Sequence, residues 1–430
     1  MKNIAFTFAA CLAALFACTP TNKDSVKDPI TVTSPTPAEQ ITKVALSESQ
    51  LEYVKAGNAM AVRLLRQMYD GQNMIISPLS LQYALAMTAN GASGETLQEM
   101  IDFLGYGDDG IDALNAYCKL LLEQLPAVDL KVNLKVTDAL LVNDKFPLQP
   151  AFQKTVEDNY YAVVENMDFS DPELIAARIN EWSRRNTNGV IDKVLDASDI
   201  APELVACLMN ALYFKAKWAG SDYEPMFLEE STKSEDFTLA DGSKKNVKMM
   251  KGYQSVPYAK KDGYRVMALP YANYKYFMYF LLPDENNLDG LMDKIKDASW
   301  NDLVKELSTD YDVSIWLPKF TIENRYELKD ALSALGLKKA FEEDKAEFFR
   351  MFDTAPGDYQ YWIGKIIQKA KIAVAEWGTE AAAVTVVQMY GETATAPKEE
   401  VDFHLDHPFV FAIGESTSGA ILFEGVYTGE

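Results

Sequence analysis

Few side chains of this sequence could carry out chemistry. The only histidines, His404 and His407, stand three residues apart beside Pro408. They have no clear third partner with which to hold a metal ion, and no Ser-His-Asp set can be assembled from them. The sequence also contains no phosphate-binding loop, no H-E-x-x-H helix and no C-x-x-C pair. We therefore expect no catalysis, no cofactor and no metal site.

A glycine pattern at 105–110 formally matches the G-x-G-x-x-G of dinucleotide-binding turns. It follows a predicted helix instead of a strand, and Asp108 and Asp109 would repel a pyrophosphate. We interpret this segment as an ordinary turn.

Composition restricts the class of partner. The 430 residues carry 41 Lys and Arg against 63 Asp and Glu, a formal net charge of −22. Binding to nucleic acid or to anionic lipid needs a basic surface, so neither is expected. Length alone would allow two or three domains. Because neither an internal repeat nor a linker follows residue 48, we interpret 49–430 as one domain.

The first residues are typical of an export signal. An apolar run over 4–17, too short to span a bilayer, ends in LFAC. This ending resembles a bacterial lipobox, in which 1–17 is removed and the Cys18 thiol is acylated; an ordinary signal peptide is the alternative. Residues 18–48, rich in Pro, Thr and Ser, are interpreted as a flexible tether. We expect a secreted protein that contacts the bacterial cell envelope only through this lipid, with the outer-membrane surface as one location.

The spacing of hydrophobic residues predicts the elements of the folded part. Helical periodicity or helix-start signals occur at 51–69, 77–87, 95–104 and 171–182. Strand-like segments occur at 132–142, 204–214, 276–282, 313–317, 372–375, 409–413 and 420–427. Helices come early and strands later, which indicates a mixed α+β fold. Cys118 and Cys207 stand in apolar stretches and are expected as small buried side chains.

Five parts of the chain resemble, in the right order, motifs of the serpin family. They are NMIISPLS with ASGET (73–80 and 92–96), NALYFKAKW (210–218), LPKF (317–320), EWGTEAAAVT (376–385), and FHLDHPFVF with LFEG (403–411 and 422–425). One such match would be weak, whereas five in register are specific. The resemblance covers about 49–430.

The resemblance implies three β-sheets, eight or nine helices and an exposed reactive loop over about 376–400. It also implies suicide inhibition of an endopeptidase, of the serine class or, as a second candidate, the cysteine class. The enzyme cleaves the loop and forms an acyl-enzyme; the loop then inserts into the central sheet, and the enzyme is distorted before it can deacylate. The native state would be held kinetically. A non-inhibitory serpin that binds or chaperones other proteins is the alternative.

The hinge of the reactive loop can be examined for its capacity to insert. By resemblance it comprises Glu376, Gly378, Thr379, Glu380, Ala381, Ala382, Ala383 and Thr385. Strand side chains alternate between two faces, and the alternate residues from Thr379 to Thr385 that would face the core are small or β-branched and uncharged. No proline interrupts 378–392, so an inserted strand could donate its ladder hydrogen bonds. These features favour an active inhibitor.

The scissile bond is harder to place. Counting the family's usual spacing from the hinge puts the cut between Glu392 and Thr393, whereas counting back from the next motif gives about Ala394. Glu392 would suit a glutamyl-specific enzyme, Thr393 and Ala394 an elastase-like enzyme, and Tyr390 a chymotrypsin-like one. Because the loop has no Lys or Arg up to this point, a trypsin-like target is not expected. We predict Glu392–Thr393, with Tyr390 and Ala394 as alternatives.

The resemblance also assigns residues that control opening of the central sheet. The shutter, at mid-sheet, and the breach, where the loop enters, comprise Asn73, Ser77, Pro78, Ser80, Asn210, Trp218 and Gln368. Serpins usually have a histidine where this chain has Gln368. Glutamine can still hydrogen-bond to Asn210 but cannot become charged, so a pH-tunable shutter is not expected. The segment that matches the heparin-binding helix, about 112–125, has no basic row, so activation by a polyanion is not expected. We also expect the protein to be a monomer.

Overall fold

The structure is a computed structural model that describes residues 35, 37, 39–201, 203–220, 225–353, 360–379 and 398–430. These residues form nine α-helices: α1 Glu48–Met68, α2 Pro78–Ala89, α3 Gly94–Leu104, α4 Gly110–Gln124, α5 Pro150–Tyr160, α6 Pro172–Asn186, α7 Leu288–Ile295, α8 Trp300–Val304 and α9 Lys329–Ala334. They also form sixteen strands: β1 Met74–Ile76, β2 Asn133–Asn143, β3 Val163–Met167, β4 Ala206–Lys217, β5 Lys233–Thr238, β6 Lys244–Gln254, β7 Tyr258–Lys261, β8 Tyr264–Pro270, β9 Tyr276–Pro283, β10 Tyr311–Pro318, β11 Phe320–Glu327, β12 Ile367–Ala375, β13 Gly378–Thr379, β14 Glu399–His404, β15 Phe409–Glu415 and β16 Ile421–Tyr427. Over these residues, no helix combines the length and apolarity that crossing a membrane requires.

The strands of the described chain form three sheets, which confirms the predicted mixed α+β class. Sheet A has the order β11-β12-β13-β4-β2-β3, and sheet B has the order β1-β16-β15-β9-β8-β7. Sheet C has the order β14-β10-β6-β5. Along the described chain, β13 therefore belongs to sheet A and the next strand, β14, belongs to sheet C.

Sheet A is buried on both faces because alternate residues of its strands enter different cores. In β2, Leu140 and Val142 belong to the main core, which contains residues from Val44 to Tyr427. Their neighbours Ala139 and Leu141 instead pack in a second core beneath α6. Helix α6 contributes Ile175, Ile179 and Trp182 to that core, at the spacing of one helical face. Helix α6 thus covers the outer face of sheet A.

The helix ends follow local sequence signals. Ser47 caps α1 in a capping box with Gln50, and the side chain of Ser77 caps α2, where Pro78 occupies the first turn. Gly105 ends α3 with φ of 86°, a left-handed conformation that glycine adopts without strain. Residues 107–109 then form a 3₁₀ turn ahead of α4, so the glycine pattern at 105–110 is a turn, as predicted.

The residues just before α1 pack against the folded body. The amide of Ile41 donates to the Ala127 carbonyl at 2.9 Å, and that of Val44 donates to the Thr417 hydroxyl at 2.9 Å. Val44 is 3% exposed. The sequence places the end of the tether at residue 48, but these contacts begin at Ile41. The two apolar side chains explain the difference, because they bury surface that the Pro- and Thr-rich residues before them lack.

Candidate functional site

Sheet A has an opening between β12 and β4. The two strands are joined through the described residues of β13: Gly378 lies opposite Ala375 and Lys217, and Thr379 lies opposite Val374 and Ala216. Elsewhere along the described strands, no ladder pairs β12 directly with β4. Because β13 is antiparallel to both neighbours, a strand that continued from Thr379 would run between them in the same sense.

A cavity of about 270 Å³ lies on this line. Residues 212–214 of β4, residues 371–373 of β12, and Thr379 line it, together with the segment 187–191 that follows α6. The opening below β13 is therefore a real space inside the sheet, roofed by the chain that leaves α6. Its walls are the two strands between which an added strand would pair.

Two hinge residues, Gly378 and Thr379, are already inside the sheet. Thr379 is 3% exposed, and its hydroxyl hydrogen-bonds the hydroxyl of Tyr271. Gly378 has φ of 138°, and a Cβ placed on it would lie 2.1 Å from the Ala216 carbonyl oxygen. Only glycine fits this position, because both the backbone conformation and the close approach of β4 exclude a side chain.

Trp218 holds the turn that precedes β13. Its indole nitrogen donates to the Ala375 carbonyl at 2.9 Å, and its backbone amide donates to the Trp377 carbonyl at 3.1 Å. The Trp218 ring stacks on Tyr271, with 4.5 Å between the centroids and 11° between the planes. The breach is thus an aromatic pair that contacts both the turn and Thr379.

An ion pair between a buried carboxylate and a partly exposed lysine fixes the same turn. The Glu376 carboxylate, 4% exposed, accepts from Lys319 Nζ at 2.8 Å and from the Thr232 hydroxyl at 2.8 Å. Burial alone would raise the pKa of Glu376, but the hydrogen bonds from Lys319, from its own backbone and from Thr232 outweigh it, and the pKa lies below its usual range. Glu376 is therefore ionised at neutral pH and binds the hinge to sheet C.

The start of α2 contacts both strands that flank the opening. Gln368 of β12 accepts from the Ser77 amide at 3.0 Å and donates to the Ser77 carbonyl at 2.8 Å. On the other side, the Ser80 hydroxyl donates to Oδ1 of Asn210 on β4. The Ser77 hydroxyl also donates to the Leu422 carbonyl of β16 at 2.8 Å. One helix end therefore connects β12, β4 and sheet B, and these contacts form the shutter.

The structure corrects the expected hydrogen bond between Gln368 and Asn210. Both ends of the Gln368 amide are occupied by the backbone of Ser77, so Gln368 reaches Asn210 only through α2. Asn73 also serves elsewhere: its Oδ1 accepts from the Thr428 amide at 2.7 Å, and its amide donates to the Glu430 carbonyl. Asn73 thus anchors the C-terminus beside the shutter.

The remaining predicted site residues lie outside the described residues. They are Glu380, Ala381, Ala382, Ala383, Thr385, Tyr390, Glu392, Thr393, Ala394 and Cys18. The assignments made for them stay predictions.

The surroundings of His407 and of the two cysteines indicate a structural role for these residues, not a catalytic one. His407 hydrogen-bonds Asp406 through Nδ1 and the Pro283 carbonyl through Nε2, at 2.8 and 2.9 Å. Across the described residues, no group of three or more His, Cys, Asp or Glu side chains could hold a metal ion. Cys118 is buried and Cys207 half-buried, both as free thiols, and burial raises the pKa of each, for Cys207 to about 12. Such thiols are poor nucleophiles.

Sequence reasoning missed several residues of this site. Lys319 stands in the LPKF motif, but its role as partner of Glu376 needed the fold. Asp138, whose Oδ1 accepts from Asn210 Nδ2 at 2.8 Å, had one available signal, since it is an acid inside a strand predicted to be apolar. Thr232 and Tyr271 had none, because they reach the hinge from distant parts of the chain.

The comparisons with known proteins agree with this architecture. A family model described as serpin (serine protease inhibitor) matches residues 55–428. The chain is 32% identical over 364 residues to a leukocyte elastase inhibitor of Xenopus tropicalis, covering 83% of this chain and 93% of that protein. It is 30% identical over 418 residues to an uncharacterized serpin-like protein of Thermococcus kodakarensis, covering 96% and 94%.

Among solved structures, the thermophilic serpin tengpin in its native state matches with a TM-score of 0.78 and 30% identity, over 92% of this chain and 98% of that one. The chain therefore belongs to the serpin family. Serpins are generally inhibitors of proteases.

Proposed function

We propose that this chain is a suicide-substrate inhibitor of serine endopeptidases, with cysteine endopeptidases as a second target class. The observation that carries the proposal is the position of β13. Its described residues, Gly378 and Thr379, already pair with both β12 and β4, and Thr379 lines an open space of about 270 Å³ between these strands. A cleaved loop could follow Thr379 into that space without a change of register.

The chemistry belongs to the target enzyme. Its nucleophile attacks the carbonyl carbon of Glu392, the peptide bond to Thr393 breaks, and the amine that leaves takes a proton from the enzyme's general acid. An ester or thioester then joins Glu392 to the enzyme. The role of this chain is to move that ester away before water reaches it.

Insertion supplies the driving force. Each added residue can form ladder hydrogen bonds with strands on both sides, and every second side chain enters the core. The small residues from Ala381 to Thr385 meet this requirement because they add apolar contact without the bulk that would overfill the sheet. The native state is then kinetically trapped, and cleavage of one peptide bond allows the chain to reach the more stable inserted state.

The proposed target is elastase-like, chymotrypsin-like or glutamyl-specific. We expect the monomeric protein, incubated with one enzyme of each kind, to form a complex that survives denaturing electrophoresis with at least one of them. The mass of the C-terminal fragment identifies the bond, and a fragment that begins at Thr393 is expected. Clean cleavage without any complex would exclude inhibition and leave a binding role, as in non-inhibitory serpins.

No heparin-like activator is proposed, since α4 carries Asp112, Lys119 and Glu123 in place of a basic row.

We further propose that the protein is secreted and anchored in a bacterial cell envelope through an acylated Cys18. The apolar run before Cys18 and the polar residues after it support this location. In a bacterial host, labelled palmitate is expected to enter the full-length protein but not the Cys18→Ser variant. Equal labelling of the two would contradict lipidation at this residue.

A further inference from the structure

A carboxylic acid lies inside the shutter. Asp138 is in the middle of β2, directly opposite Asn210 of β4, and is 1% exposed. Its Oδ1 accepts from Asn210 Nδ2 at 2.8 Å. Its Oδ2 is buried and has no hydrogen-bond partner among the residues that the structure describes. An acid with one neutral donor and one unsatisfied oxygen is poorly placed to hold a negative charge.

The groups around Asp138 do not compensate this charge. Tyr83 of α2, Cys118 of α4 and Tyr160 of α5 each have a pKa raised first by burial and in part by Asp138 itself, so all three are neutral near pH 7. No cation of the described chain contributes to the pKa of Asp138; burial raises it to about 7, against the lowering effect of the Asn210 hydrogen bond. The two histidines lie on β14 and just after it, in and beside sheet C.

Asp138 acts on the opening through Asn210. The Asn210 side chain bridges Asp138 and α2, because its Nδ2 donates to Asp138 Oδ1 and its Oδ1 accepts from the Ser80 hydroxyl. The Ser80 contact is the one that joins β4 to α2. Asp138 and Asn210 stand on paired strands and would therefore move together, away from α2, when β4 separates from β12.

We propose that Asp138 is a positioning residue of the shutter and that its ionisation favours the opening of sheet A. This inference rests on the loop-insertion mechanism proposed above. In the closed sheet the charge is buried with an unsatisfied oxygen. In the open sheet, water that enters the space between the strands can solvate it. A charge that is less penalised in the open state shifts the equilibrium towards opening. The pH sensitivity that Gln368 removes from β12 is thus supplied from β2.

The sign follows from linkage. The pKa of Asp138 in the closed state is about 7, compared with an ordinary value of 3.8 that the hydrated open state approaches. Between these values each pH unit can favour opening by at most a factor of about ten, and above the closed-state value the effect levels off. Opening should therefore be slow at pH 5.5 and faster at pH 8, by about tenfold or more.

The test measures opening without a protease. The uncleaved full-length protein is incubated with a labelled peptide of the sequence 378–391 that carries Glu380→Gln and an acetylated N-terminus, so that the peptide itself does not titrate in this range. Uptake is followed by native electrophoresis from pH 5.5 to 8. We expect about tenfold faster uptake by the wild type at pH 8 than at pH 5.5. The Asp138→Asn variant should show a flat profile at the slow rate, because the amide has the shape of the acid but no charge.

A His404→Gln/His407→Gln variant is the control for the two imidazole side chains, and it should retain the wild-type profile. A flat wild-type profile, or no uptake at any pH, overturns the proposal before any variant is made. An Asp138→Asn profile that matches the wild type overturns it as well. Stable enzyme complexes together with a flat profile contradict this inference alone, whereas pH-dependent uptake without complexes contradicts the proposed function alone.

Discussion

Thr379→Arg is expected to turn the protein from an inhibitor into a substrate. The Thr379 side chain is 3% exposed, lies between β12 and β4, and hydrogen-bonds Tyr271. A guanidinium at this position would be a buried charge without a partner, which destabilises by about 3 kcal/mol or more. The hinge would then leave the sheet, and the loop would be cut without inserting. At about tenfold per 1.4 kcal/mol, the ratio of trapped to released enzyme should fall about a hundredfold.

The measurement is the number of inhibitor molecules consumed per enzyme trapped, read together with denaturing electrophoresis. Thr321→Arg is the matched control, since Thr321 is exposed on β11 in the same sheet and should accept arginine without loss of complex. Undiminished complex formation by Thr379→Arg would show that the hinge does not insert in this register.

Gly378→Ala is expected to displace the hinge without adding charge. Gly378 has φ of 138°, a region that costs an L-residue about 1–2 kcal/mol, and the new methyl group would meet the Ala216 carbonyl oxygen at 2.1 Å. Because the obstacle is a backbone atom, a change of side-chain rotamer cannot relieve the clash. We expect the variant to favour the substrate pathway and the free energy of unfolding of the native state to fall by about 2 kcal/mol or more.

Gly336→Ala separates the two causes. Gly336 also has a positive φ, 119°, but a Cβ there would have nothing within 4 Å. The Gly336→Ala variant should lower the free energy of unfolding only by the cost of the positive φ, and it should inhibit normally. If both variants lose equal stability and both still inhibit, the close contact between Gly378 and β4 does not control insertion. Unfolding in denaturant and the stoichiometry of inhibition give the two quantities.

The elements that sequence predicts best are those whose signals are local. The helix start at Ser77-Pro78 and the strand at 132–142, now β2, appear within about a residue of their expected bounds because caps and alternation depend on neighbouring residues. The short helices α7 to α9 and the strands β5 to β8 were not anticipated. Their formation depends on packing against parts of the chain far away in sequence, for which a short window holds little signal.

The same distinction applies to the site. The hinge motif is contiguous, so sequence could identify Glu376, Gly378 and Thr379 together. The shutter is not contiguous: the Gln368 side chain meets the Ser77 backbone from 291 residues away, and this partner is what sequence reasoning misassigned. The expectation that the shutter does not respond to pH rested on Gln368 and left out Asp138 for a related reason. Only the fold shows that this acid faces Asn210 with one oxygen unsatisfied.

The strand order of sheet B determines whether the two fragments of a cleaved molecule stay together. Strands β15 and β16, which follow the reactive loop, stand inside sheet B between β9 and β1, and every residue of both strands is buried. A cut in the loop would therefore break the polypeptide without freeing its tail. The nicked molecule should elute from a sizing column as one particle of unchanged mass and separate into two bands only in detergent. Cleavage would leave a two-chain protein in which the smaller chain is an indispensable part of the core.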